Sequence, residues 1–293
     1  MKTSNKLLII LAAALFVFPV VGMAIYAKNT RINEKEYENG LKNEGANPNE
    51  ADHFLRSRKV GNFNAVVIDG DGNLYSNISV IKSDKPLIKF SAENENLFTT
   101  SIDDSGTLHI KKKSEKNFFT SSIYVFTPYL DSVSLNKLQI AKFETDFDSI
   151  KVNANQINNA IRFGENKNLK KLDLAIKNSQ IDINSAHNTN YNFSELEDFN
   201  LQVFDGKVSL KPSTYKLLRL NLHNSRFYFG QQNNRDKSDT ITVENMIVNT
   251  LGNSELSLPK KAVEINHING SLSDSTVTDL PIYIVKGLFE KQQ

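Results

Sequence analysis

The chain has no cysteine among its 293 residues, and that absence removes several readings together. It can hold no disulfide framework and no cysteine-ligated zinc. It has no thiol nucleophile and offers no N-terminal cysteine for lipid attachment. The lack leaves the compartment open, because cysteine-free chains occur on either side of a bacterial membrane. Net charge is nearly absent too. With 35 basic against 33 acidic side chains, there is no bulk electrostatic footprint for nucleic acid. Glycine (13) and proline (7) are modest, so this is not a low-complexity linker protein. Catalytic signatures are missing as well: the chain carries no Gly-x-Ser-x-Gly elbow, Walker loop or dinucleotide fingerprint. Beyond residue 60 no run shows a convincing helical period.

What the chain does have is one phrase, apolar-x-apolar-x-apolar-x-[Asn/Asp]-[Ser/Gly]-x-apolar-x-apolar, repeated five times between Leu172 and Asp274. The first copy runs Leu172, Leu174, Ile176, Asn178-Ser179, Ile181, Ile183, and the second Phe199, Leu201, Val203, Asp205-Gly206, Val208, Leu210. The third is Leu218, Leu220, Leu222, Asn224-Ser225, Phe227, Phe229, and the fourth Ile247, Asn249, Leu251, Asn253-Ser254, Leu256, Leu258. The fifth decays through Val263, Ile265, His267, Asn269-Gly270 and Leu272. Two short strands around a turn, repeated along the chain, predict a stacked β architecture. A blurred form begins earlier, in Leu130-x-x-Val133-x-Leu135, Phe147-x-x-Ile150-x-Val152 and Leu169-x-x-Leu172-x-Leu174. Two arrangements fit. In a hairpin stack Asn178-Ser179 is a tight turn between antiparallel partners. In a solenoid it is a corner, and equivalent strands pair in parallel from coil to coil. Asn, Asp and Gly suit both, since both need a residue tolerant of left-handed backbone angles.

The N-terminus points to export. From Leu7 to Ala27 the chain is uncharged and almost wholly apolar, preceded by Lys2 and Lys6. About 20 apolar residues span a bilayer as a helix. Pro19 and the small residues Gly22 and Ala24 equally suit a cleaved secretory signal. The expected layout is a signal-anchor or signal peptide over residues 1–27, a polar spacer over 28–59, and an exported β domain over 60–293. The spacer offers short helical stretches at 34–42 and 50–58. Its expected place is the cell envelope, as a single-pass membrane protein or, after cleavage, a secreted one.

The segment Phe63 to Ile68, the strand pair ending in Ser105-Gly106-Thr107-Leu108-His109-Ile110, and Ile123 to Pro128 followed by Leu130-Asp131-Ser132-Val133 carry a resemblance. The stretch resembles the opening of the head-GIN-type auto-transporter adhesin family, a domain of unknown function in Bacteroidota. The Asn-Ser and Asn-Gly turns stand where members of that family carry Gly-Ser-Gly turns. The resemblance covers roughly residues 60–275. It implies an all-β fold, a right-handed β-solenoid on an exported chain, and it brings no catalytic residues.

Candidate chemistry is sparse. Asp69-Gly70-Asp71-Gly72-Asn73 has the first ligand spacings of a calcium loop, but Leu74 and Val80 occupy the positions where an EF-hand needs Gly and Glu, so a turn is the reading. Of the five histidines, His109 and His223 fall at outward parity, His267 at an inward one, and His53 and His187 in polar stretches. No pair has ligand spacing, and no metal or cofactor is expected. Lys111-Lys112-Lys113 and Lys170-Lys171 read as solvated strand ends, and Phe118-Phe119 as core. Outward positions of the repeat are Asp173, Ala175, Asn200, Gln202, Arg219, Asn221, Val248, Thr250, Glu264 and Asn266. Only two are acidic, whereas glycoside hydrolysis needs two carboxyls about 5–10 Å apart. The expectation is therefore a non-enzyme: surface binding, adhesion or scaffolding toward a glycan or envelope protein, through residues the sequence does not single out. The alternative is a polysaccharide-active enzyme with acids on the irregular loops. The apolar stretch Leu280 to Val285, with Leu288 and Phe289, is expected to cover the open end of the stack.

Overall fold

A computed structural model describes residues 3–30, 47–49, 54–113, 119–164, 166, 168–185, 193–211, 213–229, 241–258 and 263–289. The chain divides into two compact units, Met1–Asn47 and Pro48–Gln293. In the first, helix α1 covers Thr3–Thr30. The large apolar side chains described between Leu11 and Tyr26 are exposed, with Phe16 and Phe18 each more than 70% so. Among the described residues no helix is long and apolar enough to cross a membrane, so the span expected from Leu7 to Ala27 is not shown. The helix expected at 34–42 lies outside the described residues.

The second unit is almost entirely β. It opens with β1 (Leu55–Lys59), where the sequence had offered a helical stretch; these residues instead pair antiparallel with β3 (Leu87–Ser91). The first coil is one long bent strand, β2 (Ala65–Lys82), and the second is β7 (Ser132–Thr145), which runs parallel to it along both halves. Between them come β4 (Phe98–Ile102), β5 (Thr107–Lys112) and β6 (Phe119–Thr127). Strands β5 and β6 extend the two halves of β2 in parallel, while β4 and β3 add antiparallel partners.

Each later coil consists of two strands around a corner: β8 (Ser149–Asn155) and β9 (Asn158–Phe163), β10 (Lys171–Lys177) and β11 (Gln180–Ser185), β12 (Asp198–Phe204) and β13 (Lys207–Leu210). The series continues through β14 (Thr214–His223) and β15 (Arg226–Phe229), β16 (Ile241–Leu251) and β17 (Glu255–Ser257), then β18 (Val263–Ser271) and β19 (Val277–Asp279). Strand β10 pairs in parallel with β8 and β12, and β11 pairs in parallel with β9 and β13. Strands that flank a corner therefore pair with neighbouring coils and not with each other. The repeat is a solenoid and not a hairpin stack.

The corners explain why the phrase reads Asn-Ser. Asn178, Asp205 and Asn224 sit at φ 49°, 50° and 48°. This left-handed region is one that short polar side chains tolerate best. Gln156 at φ 54° and Lys137 at φ 52° hold the same place in earlier coils without that chemistry; nothing in the structure explains their choice. The residue that follows supplies a hydroxyl to the coil before it. Ile157 N–H donates to Ser179 Oγ at 2.9 Å, and Gly206 N–H to Ser225 Oγ at 3.2 Å. Ser179 and Ser225 are buried, so each hydroxyl satisfies an amide that the turning backbone cannot pair.

Alternating inward residues of both stacks form one continuous core from Phe63 to Ile284. An aromatic spine runs inside it, with Phe143, Phe163 and Phe193 edge to face at 5.9 and 5.6 Å, then Phe193 stacked on Phe199 at 6.0 Å. Tyr215 joins this spine 1% exposed, its hydroxyl donating to Lys211 O at 2.6 Å.

Two parts of the phrase are out of phase with the structure. In the fourth copy Leu218 pairs with Met246 and Leu220 with Val248, so Met246, Val248 and Thr250 face inward while Ile247, Asn249 and Leu251 face out. Its left-handed corner residue is Gly252, φ 65°, and Asn253 is one residue extra. In the fifth copy Asn269-Gly270 is not a corner but lies within β18, opposite Ile247 and Val248. A helix also appears where none was expected: α2, Ile282–Phe289, lies on β18 with Ile284 and Leu288 buried.

Candidate functional site

Among the described residues no three His, Asp or Glu side chains converge on a point. The Asp69–Asn73 stretch is the first corner of the solenoid, with Asp71 at φ 55° and Gly72 at φ 94°. A cation already occupies it, since Lys112 Nζ donates to Asp71 Oδ1 at 2.9 Å. Lys112 is thus no solvated strand end: its side chain is fully buried, and the ammonium stands where a calcium loop would hold its ion. Lys170 and Lys171 are exposed, as expected. The side chains of Phe118 and Phe119, with His53 and His187, lie outside the described residues.

His109 has an acidic partner that the sequence did not reveal. In the turn between β4 and β5, Asp103 Oδ2 lies 2.7 Å from His109 Nε2. The same carboxylate accepts from Ser105 Oγ at 2.6 Å and from the N–H groups of Ser105 at 3.0 Å and Thr107 at 2.9 Å. The Ser105 hydroxyl, then the His109 ring and the Thr107 amide, hold Asp103 far below the usual carboxylate range. Ser105 Oγ bonds to the acid and not to the imidazole, so the group braces a turn and contains no nucleophile–base pair. His267, expected inward, is exposed opposite Asn245.

The outer face of the first stack is where side chains are organised. Register sets three outward columns across β10, β12, β14 and β16. They read Asp173–Asn200–Arg219–Ile247, Ala175–Gln202–Asn221–Asn249 and Lys177–Phe204–His223–Leu251. Neighbouring strands lie about 4.8 Å apart, and outward side chains along a strand about 6.7 Å. A single chain of side-chain hydrogen bonds crosses this lattice. Ser271 Oγ donates to Asn249 Oδ1 at 3.2 Å, Asn249 Nδ2 to Asn221 Oδ1 at 3.0 Å, Asn221 Nδ2 to Asn200 Oδ1 at 3.2 Å, and Asn200 Nδ2 to Asp173 Oδ1 at 2.8 Å. The ladder changes column between β12 and β14 because Arg219 is drawn away, its guanidinium donating to Asp198. Each asparagine spends one donor and one lone pair along the ladder, and amide chemistry leaves each one further of both. Beside the ladder the third column turns apolar: the rings of Phe204 and His223 meet edge to face at 6.0 Å, and Leu251 is 63% exposed.

The opposite outer face is more charged. Lys207 lies over the Tyr228 ring at 5.1 Å, and Arg226 pairs with Glu255 at 3.3 Å. Desolvation raises the Tyr228 hydroxyl above its ordinary range. Of the outward residues expected from sequence, Asp173, Asn200, Gln202, Arg219 and Asn221 are brought together on the first face. Val248 and Thr250 are not; they are buried, and Ile247 and Asn249 take their places.

No family model matches the sequence, and no curated protein matches it either, so the head-GIN resemblance stands on the residues quoted for it. Solved structures with a similar course exist. A putative adhesin from Parabacteroides merdae ATCC 43184 matches 77% of this chain and 95% of its own, at 12% identity and a TM-score of 0.39. A putative adhesin from Parabacteroides distasonis ATCC 8503 matches 77% and 96%, at 13% identity and 0.41. A putative lipid binding protein from the same organism matches 76% and 92%, at 13% identity and 0.36. At those scores the functional question is left to this chain's own surface.

Proposed function

We propose that this chain is a non-catalytic binding protein of the bacterial cell envelope, which presents the outer face of its first β stack to a surface ligand. The observation that carries the reading is the ladder from Ser271 to Asp173, which lays a continuous, nearly uncharged strip of amides and hydroxyls across five coils. A fold needs inward columns to be apolar, but it sets no such demand on outward ones. The N-terminal sequence supports the envelope placement: the stretch from Leu7 to Ala27 is almost wholly apolar and has no charge. An uncharged apolar stretch of that kind after Lys2 and Lys6 has the composition of an export signal, and in this reading it directs the chain to the envelope. The coils wind right-handed in this reading, as crossovers between parallel strands do. The test is a pull-down of envelope extract with the full chain in detergent micelles. Retention of envelope material by the wild type, lost when Asn200, Asn221 and Asn249 are together replaced by Lys, supports the reading. Equal retention by the triple variant sinks it.

A further inference from the structure

From the same face we infer the ligand class: a neutral polysaccharide lying along the stack, its ring hydroxyls on the asparagine ladder and its C–H faces on the Phe204–His223 step. The inference rests on the proposed function and narrows it.

Three features of the face converge on a sugar chain. The hydrogen-bonding groups are mainly side-chain amides, which donate and accept from one plane, matching the vicinal hydroxyls of a sugar ring. They repeat at the coil spacing of about 4.8 Å, comparable to one sugar ring. Next to the amides, and one strand position away, stands an aromatic column. Phe204 and His223 are half-buried, with ring centroids 6.0 Å apart and planes at 88°, and Leu251 continues the apolar edge into the next coil. A sugar ring has the same split character, polar at its rim and apolar on its C–H face.

Charge selects against other occupants. Arg219 is committed to Asp198, and Asp173 accepts from Asn200, so the rungs of the ladder themselves hold no cation for a uronate or a phosphate. Lys177, exposed at the foot of the third column, stands at its edge beside Phe204. A peptide strand is disfavoured because the face presents side chains, while strand addition needs an open backbone edge. The opposite outer face, with Lys207, Arg226 and Glu255, has no comparable ladder among the described residues.

The experiment is affinity electrophoresis of the full chain in detergent through gels containing soluble neutral polysaccharides (glucans, mannans, arabinans) or uronate polymers, beside the envelope pull-down. At least one neutral polymer retards the wild type. Phe204→Leu, which keeps apolar bulk and loses the ring, and Asn221→Ala each weaken that retardation about tenfold. Tyr228→Ala on the other face leaves it unchanged, and circular dichroism confirms that all three variants fold. Retardation by uronates alone, none by any neutral polymer, or wild-type binding by both Phe204→Leu and Asn221→Ala overturns the inference. If envelope material is retained while neutral polymers are ignored, this inference falls and the proposed function stands. If neither is bound, both fall.

Discussion

The corner serines give the sharpest test of how this fold is held, because three serines with the same hydroxyl sit in graded surroundings. Ser179 is 5% exposed, and its Oγ accepts the N–H of Ile157, itself fully buried. The hydroxyl donates to Lys177 O at 2.7 Å, but that carbonyl also accepts Gln156 N–H at 3.1 Å and keeps a partner without it. Ser179→Ala therefore orphans one group, the Ile157 amide, at a place water does not reach. An unsatisfied buried donor costs roughly 1–3 kcal/mol, and here the upper half of that range applies, about 2–3 kcal/mol. Ser225→Ala orphans Gly206 N–H, which is only half-buried. Partial hydration then reduces the loss to about 1–2 kcal/mol. Ser271 donates on the exposed outer ladder, and Ser271→Ala removes a bond water can replace, so its effect stays within about 0.5 kcal/mol. The assay is urea unfolding of the compact unit 48–293, followed by far-ultraviolet circular dichroism, with midpoints compared only where the slope is unchanged. The expected order of destabilisation is Ser179, then Ser225, then Ser271. Equal midpoints for all three variants, or Ser271→Ala as the most damaging, would refute the corner account.

Gly270→Ala should unseat the last coil, because a Cβ there meets Val248 O at 1.8 Å on a backbone at φ 144°. A loss of about 2–4 kcal/mol is expected, read as a fall in the urea midpoint, and an unchanged midpoint rejects the tight β16–β18 approach. Desolvation raises the Asp146 carboxyl above its usual range, against the lowering effect of the Lys82 N–H it accepts. Its ionised form thus opposes folding, a penalty absent below the unfolded carboxylate pKa that appears as pH rises through the raised folded value. Asp146→Asn should be the more stable protein at neutral pH and match the wild type below about pH 3, in paired thermal melts. Deleting residues 280–293 removes α2, whose Ile284 and Leu288 cover β18, and should cause aggregation in light scattering; a truncation that stays soluble and monomeric rejects the capping role.

Much of this architecture is readable from residue order, and the points where reading fails share a cause. Inward positions such as Leu174, Leu201 and Leu220 alternate with polar ones, so period two fixes their face. In the fourth copy both parities carry apolar residues, with Met246 and Val248 on one and Ile247 and Leu251 on the other, and alternation alone has no preference. The face is decided by the neighbouring coil, through pairing with Leu218 and Leu220. Lys112 and Asp71 show the same limit over a longer span. Each looked like surface, and only the parallel pairing of β5 with β2 brings the ammonium into the first corner. The α2 helix was hidden because its eight residues, with Ile282, Tyr283, Ile284, Val285 and Phe289, satisfy a strand pattern as readily as a helical one. The candidate site was less legible still. Asn200, Asn221 and Asn249 lie at unequal separations along the chain, because the loops between coils differ in length. They become a ladder only once the register is known.

The corner of the β16 coil shows why a repeat this irregular can hold its register. His223 pairs with Leu251 before the corner and Arg226 with Glu255 after it, although one chain passes two residues between those points and the other three. The extra residue, Asn253, is absorbed where the backbone already turns, its N–H donating to Asn224 Oδ1 at 3.2 Å. An insertion within either strand would reverse the face of every side chain beyond it. Corners and loops can therefore change length without disturbing the columns, whereas an extra residue inside a strand needs a local irregularity, as at Ala141 of β7 opposite the Ser76–Asn77 step of β2. This separates the demands on the chain: apolar inward columns and hydroxyl-bearing corners make the stack, and the outward columns are left to other chemistry. A ladder of amides and hydroxyls that continues through five coils on one face to end on Asp173, beside an aromatic edge and opposite a charged face, is not required by any part of that scaffold.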